Sequence, residues 1–366
     1  MSTPSLTSRR RLTRLRLRAQ RIAASDCTTP KDVVGWMLAM QAQDFMGAKW
    51  SVGLRIPRST DADIERALAS GSIVRSWPMR GTLHFVAAAD LRWMLAVTTP
   101  RILAGATKRH QDLALTQAQF ERAREAALMA LTGGGAMTRE QMQDVFTSAG
   151  ISPEGQRGYH LLWYLAHTGT LCFGPTRGKQ QTFVLLDEWV APTPGFQRDE
   201  ALGEFARRYF TSHGPATISD FAWWASLTLT QARIGLAVAR PALAELELDG
   251  TTYYLSQETL AAPSAGPIAT YALPGFDEYL LGYQNRSAAL APEHAEAVVP
   301  GGNGVFMPTI VVSGAVAGTW KRTINRRDIV VEPLPFDPLN AQAATGFARA
   351  MKAYGDFLGL PIRPAD

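Results

Sequence analysis

The chain has 366 residues, of which 46% are hydrophobic and 19% charged, and its net charge at pH 7 is +5. This composition excludes a disordered chain, and the length suits two or three folded modules. No run of about 18 apolar residues is present, and the N-terminus has no secretion signal, so we expect a cytoplasmic protein without a membrane partner. The positive charge permits nucleic-acid binding without establishing it.

The cysteine and histidine spacings do not predict a metal site. The two cysteines, Cys27 and Cys172, lie far apart and make no CxxC pair, and none of the six histidines makes an HExxH pair. We therefore expect no metal site.

A basic helix is predicted near the start of the chain. Seven arginines fall between Arg9 and Arg21, and apolar residues recur among them at helical spacing, which indicates a buried stripe opposite the charges. The basic face either contacts nucleic acid or is only solvated.

A pattern of helices followed by a two-stranded hairpin occurs three times. In the first unit, residues 9–110, Thr29-Pro30 marks a helix start, and this helix is expected to reach about Met40. A further helix ends at Gly71, and the hairpin follows at 73–86.

The second unit is predicted at 111–194, with a hairpin at 170–186 whose tip, residues 174–179, is polar and basic. The third unit, 195–262, has a hairpin at 245–255 around Asp249-Gly250, a strong two-residue turn signal. The remainder, 263–366, is expected to hold one more hairpin and a closing helix near 340–354.

These elements predict an α+β fold, mainly α, made of three winged-helix units in tandem with a C-terminal hairpin. A winged helix places one helix in the major groove of DNA while its hairpin reaches nearby phosphates. Three different units in series favour a monomer that binds double-stranded DNA over a dimeric reader of paired half-sites.

Three segments go beyond this pattern. They are Met40-Gln-Ala-Gln-Asp44, Arg75-Ser-Trp-Pro-Met-Arg-Gly-Thr-Leu-His84 and Leu273-Pro-Gly-Phe-Asp-Glu-Tyr-Leu-Leu-Gly282. Together they strongly resemble the AlkZ-like family, also called the YcaQ-like or winged-helix DNA-binding-domain family, over nearly the whole chain.

The resemblance implies a DNA glycosylase that removes bulky alkylated purines and unhooks interstrand crosslinks without a metal or cofactor. It also implies three tandem winged helices in a C-shaped arrangement. Catalysis in the family is carried by a motif of two polar residues around an aliphatic one, and here that motif reads Gln41-Ala42-Gln43.

Two amides suit one class of lesion in particular. An N7-alkylated guanine is already cationic, so it departs as a neutral base without a general acid, and the sugar passes through an oxocarbenium-like state. The protein then has to position a water, which glutamine carbonyls and amides can do. Residues i and i+2 diverge on a helix, so Gln41 and Gln43 can share one water only if the helix ends or distorts there, whereas on extended backbone they point the same way. The alternative is that both are polar residues at an ordinary helix end.

Other residues are candidates for supporting roles. Asp44 could act as a base, although a local bond to the backbone that ends the helix is the simpler interpretation. His84 could line the lesion cleft or merely support the hairpin. The residues predicted to contact DNA, each of which could instead be an ordinary solvated or structural side chain, are Arg75, Arg80, Thr82, Arg177, Lys179, Lys321 and Arg322.

The leading prediction is therefore a monofunctional DNA glycosylase for cationic alkylpurines, including crosslinks. A non-enzymatic winged-helix regulator is the main alternative, and a protein that sequesters a DNA-reactive drug or its lesion is a third. The sequence does not identify the adduct, and it does not distinguish self-resistance to an antibiotic from general repair.

Overall fold

The structure is a computed structural model that describes residues 5–262 and 269–365. The chain forms two compact units. One, here called the discontinuous unit, combines Met1–Ile64 with Leu202–Asp366, and the other, the continuous unit, is Glu65–Ala201. Two helices, Asp61–Ala69 and Arg198–His213, contain the points where the chain passes from one unit to the other.

The continuous unit contains the first two predicted hairpins. Its helices are Ala88–Asp112, Gln117–Leu131, Arg139–Ser148, Arg157–His167 and Leu186–Trp189. Its strands are Ile73–Met79, Thr82–Ala87, Met137–Thr138, Leu171–Phe173 and Thr182–Leu185. The two hairpins join edge to edge, since Arg75 pairs with Phe173 between them, a pairing that the repeated pattern did not predict. Trp77, Phe120 and Trp163 belong to the core beneath this sheet.

The discontinuous unit brings the two ends of the chain together. Besides the shared helices, its helices of four or more residues are Leu6–Ala19, Pro30–Met37, Phe45–Gly53, Ile218–Trp224, Leu229–Ala239, Gln257–Ala261, Glu278–Leu281, Ala295–Val298 and Ala341–Leu358. Its strands are Met40–Gln41, Leu243–Leu248, Thr251–Ser256, Thr270–Leu273, Thr309–Val312, Ala315–Ile324, Ile329–Pro335 and Ile362–Pro364.

The sheet in the C-terminal part is larger than the predicted hairpin. The expected hairpin is present as Thr309–Val312 and Ala315–Ile324, but five strands line up there, because the segments Thr270–Leu273, Ile329–Pro335 and Ile362–Pro364 flank it. The closing helix packs against this sheet, and its Tyr354 ring lies 5.2 Å from that of Trp50 and 5.7 Å from that of Trp320. Trp50 is thus a core residue.

The third hairpin lies where the sequence predicts it, at Leu243–Leu248 and Thr251–Ser256. Its turn residues Asp249 and Gly250 both have positive φ, 49° and 72°, which is the conformation that the Asp-Gly pair favours. In the basic first helix, Leu12 and Leu15 are buried and Arg14 and Arg18 are exposed as predicted, but Arg16 is buried, contrary to the expected separation of charges from the stripe.

One helix boundary corrects the sequence analysis. The helix from Pro30 ends at Met37, three residues before the expected Met40. Leu38 follows with φ 67°, a left-handed conformation that no α-helix continues. Leu38 is fully buried, so packing offsets the cost of this backbone geometry.

The protein is therefore an α+β protein. Among the helices that the structure describes, none has the length and apolar character that a bilayer-spanning segment needs.

Candidate active site

The Gln41-Ala42-Gln43 segment joins two well-defined helices. Thr29 begins the first of them with a capping box, in which Asp32 also bonds back to the Thr29 amide at 2.8 Å. After Leu38 the backbone becomes extended over Met40–Gln41, and the next helix starts at Phe45. Gln41 therefore lies on extended chain, and Ala42 and Gln43 follow it outside both helices.

The two glutamine side chains contact each other. Gln41 Nε2 donates a hydrogen bond to Gln43 Oε1 at 2.6 Å. Side chains at i and i+2 point the same way on extended backbone, which is why the bond can form. Gln41 is 6% exposed, whereas Gln43 is open to solvent, so the pair runs from the interior to the surface.

Asp44 is held at both carboxylate oxygens. Oδ1 accepts the Gly47 amide hydrogen at 3.0 Å and caps the helix Phe45–Gly53, and Oδ2 pairs with Arg322 Nη2 at 3.2 Å. The predicted local bond to the backbone is present, but it begins the following helix instead of ending the preceding one. This carboxylate is consequently engaged in structural contacts beside the glutamine pair.

Arg322 and Lys321 differ although they are adjacent on one strand. Arg322 reaches Asp44 with a side chain that is 13% exposed, and its guanidinium carbon lies 5.6 Å from the centre of the Tyr354 ring. Lys321 is exposed. Because side chains alternate along a strand, only Lys321 of the two is presented to solvent as a phosphate contact would be.

A buried carboxylate that the sequence analysis did not single out lies behind Gln41. Glu278 is fully buried, and its Oε1 accepts the main-chain N–H of Gln41 at 3.1 Å. Its Oε2 accepts from Trp224 Nε1 at 2.8 Å and lies 3.4 Å from His213 Nε2. The signal in the sequence was a pair of acids, Asp277-Glu278, inside an apolar segment.

Asp277, the other acid of that pair, forms a buried ion pair. Both of its oxygens accept from the Arg55 guanidinium, at 2.9 and 3.0 Å, and Ser51 donates to it at 2.5 Å. The Leu273–Gly282 segment, which carried part of the family resemblance, is therefore attached by its two acids to the helix Phe45–Gly53 and to the glutamine motif.

The first hairpin of the continuous unit brings together Arg80, Thr82 and His84. His84 is fully buried, with Nδ1 2.9 Å from the Thr82 carbonyl oxygen and Nε2 3.0 Å from Arg80 Nη2. Only a neutral ring that donates from Nδ1 and accepts at Nε2 satisfies both contacts. His84 thus orients the Arg80 side chain from within the hairpin.

The remaining predicted DNA contacts in this unit differ in exposure. Arg75 is buried beside Phe173 and donates to Gln181 Oε1 at 3.2 Å. Burial lowers the pKa of its guanidinium to about 10, so it stays charged at neutral pH. Arg177 and Lys179 are exposed at the tip of the second hairpin, with Arg177 Nη2 bonded to the Ala136 carbonyl at 2.9 Å. Of the three, only the tip residues are accessible to a phosphate.

The thiols and imidazoles do not form a metal centre in the described parts of the chain. No three His, Cys, Asp or Glu side chains gather there with ligand geometry, and both Cys27 and Cys172 are free and buried. Burial raises the pKa of the Cys172 thiol to about 12, which makes it a poor nucleophile.

Comparison with known proteins gives consistent results. A family model described as DNA glycosylase AlkZ-like matches residues 34–357. The "Interstrand DNA cross-link repair glycosylase" of Streptomyces sahachiroi is 31% identical over 326 residues, which are 83% of this chain and 84% of that protein. The solved structure of Streptomyces sahachiroi DNA glycosylase AlkZ superimposes with a TM-score of 0.79 at 26% identity, covering 97% of this chain and 99% of that one. On these matches, the chain belongs to the AlkZ-like family of DNA glycosylases.

Proposed function

We propose that this glycosylase hydrolyses the N-glycosidic bond of cationic N7-alkylated purines in DNA, and that Gln41 and Gln43 hold the attacking water. The observation that carries the proposal is the 2.6 Å hydrogen bond between the two side chains. It fixes two amide groups side by side, with Gln43 at the solvent side.

The reaction needs little acid or base assistance for such a substrate. The C1′–N9 bond breaks with its electron pair moving to the purine, which discharges the positive charge of the alkylated ring. The water oxygen bonds to C1′ of the oxocarbenium-like sugar, and its surplus proton passes to solvent. Amide oxygens that accept from the water orient it as positive charge develops on the sugar.

The contacts that Asp44 makes favour the two glutamines over this carboxylate as ligands of the water. Its two oxygens already serve the cap of the helix Phe45–Gly53 and the Arg322 ion pair. Protonation of this carboxylate, had it acted as the base, would weaken the Arg322 ion pair. We therefore assign Asp44 a structural role and keep His84 as a support for Arg80.

The substrate includes crosslinked purines in this proposal. The Streptomyces sahachiroi relative is named for interstrand cross-link repair, and its similarity extends over most of both chains. We propose the same substrate class here, with the identity of the adduct left to experiment.

DNA binding is assigned to a monomer with three tandem winged-helix units at 9–110, 111–194 and 195–262, followed by the C-terminal part 263–366. The three hairpins at the predicted positions support this assignment. Exposed Lys321, Arg177 and Lys179 are the favoured phosphate contacts. The other predicted DNA contacts are proposed to hold neighbouring side chains in place instead of contacting DNA directly; they are Arg75, Arg80, Thr82 and Arg322.

An excision assay separates this proposal from the alternatives. A duplex that contains one N7-alkylguanine is incubated with the protein, and free base and abasic sites are measured against a no-enzyme control. We expect release of the modified base and no release from an otherwise identical duplex with unmodified guanine. A protein that binds the lesion without releasing it is a sequestering protein, and one that binds a single short operator far more tightly than other DNA is a regulator.

A further inference from the structure

The buried carboxylate of Glu278 connects the glutamine motif to the interior of the discontinuous unit. Its two oxygens face different elements: Oε1 accepts the Gln41 N–H at 3.1 Å, and Oε2 accepts the Trp224 indole N–H at 2.8 Å. His213 Nε2 lies 3.4 Å from Oε2. No part of the glycosylase chemistry described above uses these groups.

The neighbouring residues hold Glu278 in place. Asp277, itself fixed by Arg55, caps the short helix Glu278–Leu281 by accepting the Tyr279 N–H at 2.9 Å. Gly282 ends that helix, and a Cβ atom there would lie 2.6 Å from His213 Cδ2. The same Cβ would lie 2.6 Å from the Glu278 carbonyl oxygen, so any larger residue would displace the imidazole, the helix backbone or both.

A buried carboxylate is an unfavourable residue at this position if its only role is to fill space. Removing its charge from water costs several kcal/mol unless donors surround it, and an apolar side chain would avoid that cost. Its Oε1 accepts the N–H of Gln41, whose backbone lies outside both flanking helices. The direction of the Gln41 side chain depends on this short extended stretch, because the backbone torsions set where its Cβ points.

We propose that Glu278 is a positioning residue, which fixes the main chain of Gln41 so that the Gln41 and Gln43 amides meet at the distance needed to hold water. The proposal rests on the proposed function of that pair. Trp224 contributes indirectly, by donating a hydrogen bond to the second oxygen of the carboxylate.

The chemistry of the donors supplies a sharp test. A glutamine has one accepting oxygen and one donating NH2 group, but two of the groups around Glu278, Gln41 N–H and Trp224 Nε1–H, are donors that face different oxygens. In Glu278→Gln, the amide NH2 group therefore faces one of these two N–H donors. Trp224→Phe removes the indole donor while keeping an aromatic ring, so the double variant lets the amide oxygen face Gln41 again.

The experiment measures single-turnover excision of an N7-alkylguanine, DNA affinity, thermal unfolding, and hydrogen exchange of the peptide that contains Gln41. We expect Glu278→Gln to slow excision roughly tenfold to a hundredfold with DNA affinity within about twofold of wild type. Trp224→Phe alone should slow it about threefold. The double variant should be faster than Glu278→Gln and fall within about threefold of Trp224→Phe, with slower exchange at Gln41 than in Glu278→Gln.

Recovery of the excision rate in the double variant, together with slower exchange at Gln41, is the decisive result, because a merely structural role predicts altered thermal unfolding with an unchanged excision rate in the folded variants. Wild-type excision by folded Glu278→Gln, or a double variant no faster than Glu278→Gln, overturns the proposal. If Glu278→Gln does not fold, Trp224→Phe carries the test, and unchanged excision with unchanged exchange at Gln41 overturns it. Gln41→Ala and Gln43→Ala run in parallel: if they leave excision unchanged, the proposed function itself fails, whereas slow glutamine variants beside a fast Glu278→Gln remove only the positioning role.

Discussion

Replacement of Asp44 distinguishes a structural carboxylate from a catalytic one. Asp44→Ala removes the helix cap, worth about 1 kcal/mol, and an ion pair of at most about 1 kcal/mol, since its partners are 34% and 13% exposed. Asp44→Asn keeps a capping oxygen and loses only the charge. We therefore expect destabilisation of about 2 kcal/mol for Asp44→Ala and less than about 1 kcal/mol for Asp44→Asn.

Both variants should remain folded at 25 °C, because a domain has about 5–15 kcal/mol of stability. Denaturant unfolding gives the free energies, and single-turnover excision of an N7-alkylguanine gives the rates. With a structural Asp44, both rates lie within about threefold of wild type. A rate loss of about a hundredfold or more in well-folded Asp44→Asn would identify this carboxylate as the base and refute the assignment.

Three further predictions concern binding and stability. Lys321→Ala and Lys179→Ala should each lower the salt slope of DNA affinity by about 0.9 in titrations from 50 to 200 mM salt, whereas Lys352→Ala, on the closing helix, should not. Burial lowers the pKa of His167 to about 4, so between pH 7 and pH 5 this side chain binds a proton mainly in the unfolded state. The unfolding free energy should therefore drop by about 2 kcal/mol over that range, and by clearly less in His167→Phe. Asp277→Asn should cost about 3–5 kcal/mol in urea unfolding because it leaves Arg55 buried without its carboxylate; a loss below about 1 kcal/mol would contradict the buried ion pair.

The sequence predicts those parts of the fold that depend on local chemistry. The hairpins at 73–86, 170–186 and 245–255 follow from strand composition and turn residues, and the Asp249-Gly250 turn has the positive φ angles that this pair favours. The helix end that Gln41 and Gln43 need is also a local property, and the helix does end before them, at Met37. Both predictions use residues that are neighbours in the chain.

The parts that the sequence does not predict depend on residues far apart in the chain. Glu278 meets Gln41 across 237 residues, and Arg322 meets Asp44 across 278. No spacing rule links such positions, so the sequence leaves Arg322 as either a phosphate contact or a solvated charge and assigns Glu278 no role. The long helix Ala88–Asp112 was missed for another reason: it contains Pro100, which local rules treat as a helix breaker.

The most direct test of the central claim is a double-mutant cycle on Gln41→Ala and Gln43→Ala, measured as single-turnover excision of an N7-alkylguanine from duplex DNA. Each single variant should lose about tenfold to a thousandfold in rate and bind DNA nearly as wild type, since a water ligand acts mainly in the transition state. Because the two side chains share one hydrogen bond, the double variant should lose less than the product of the single losses. Excision at the wild-type rate by both folded single variants would contradict the account.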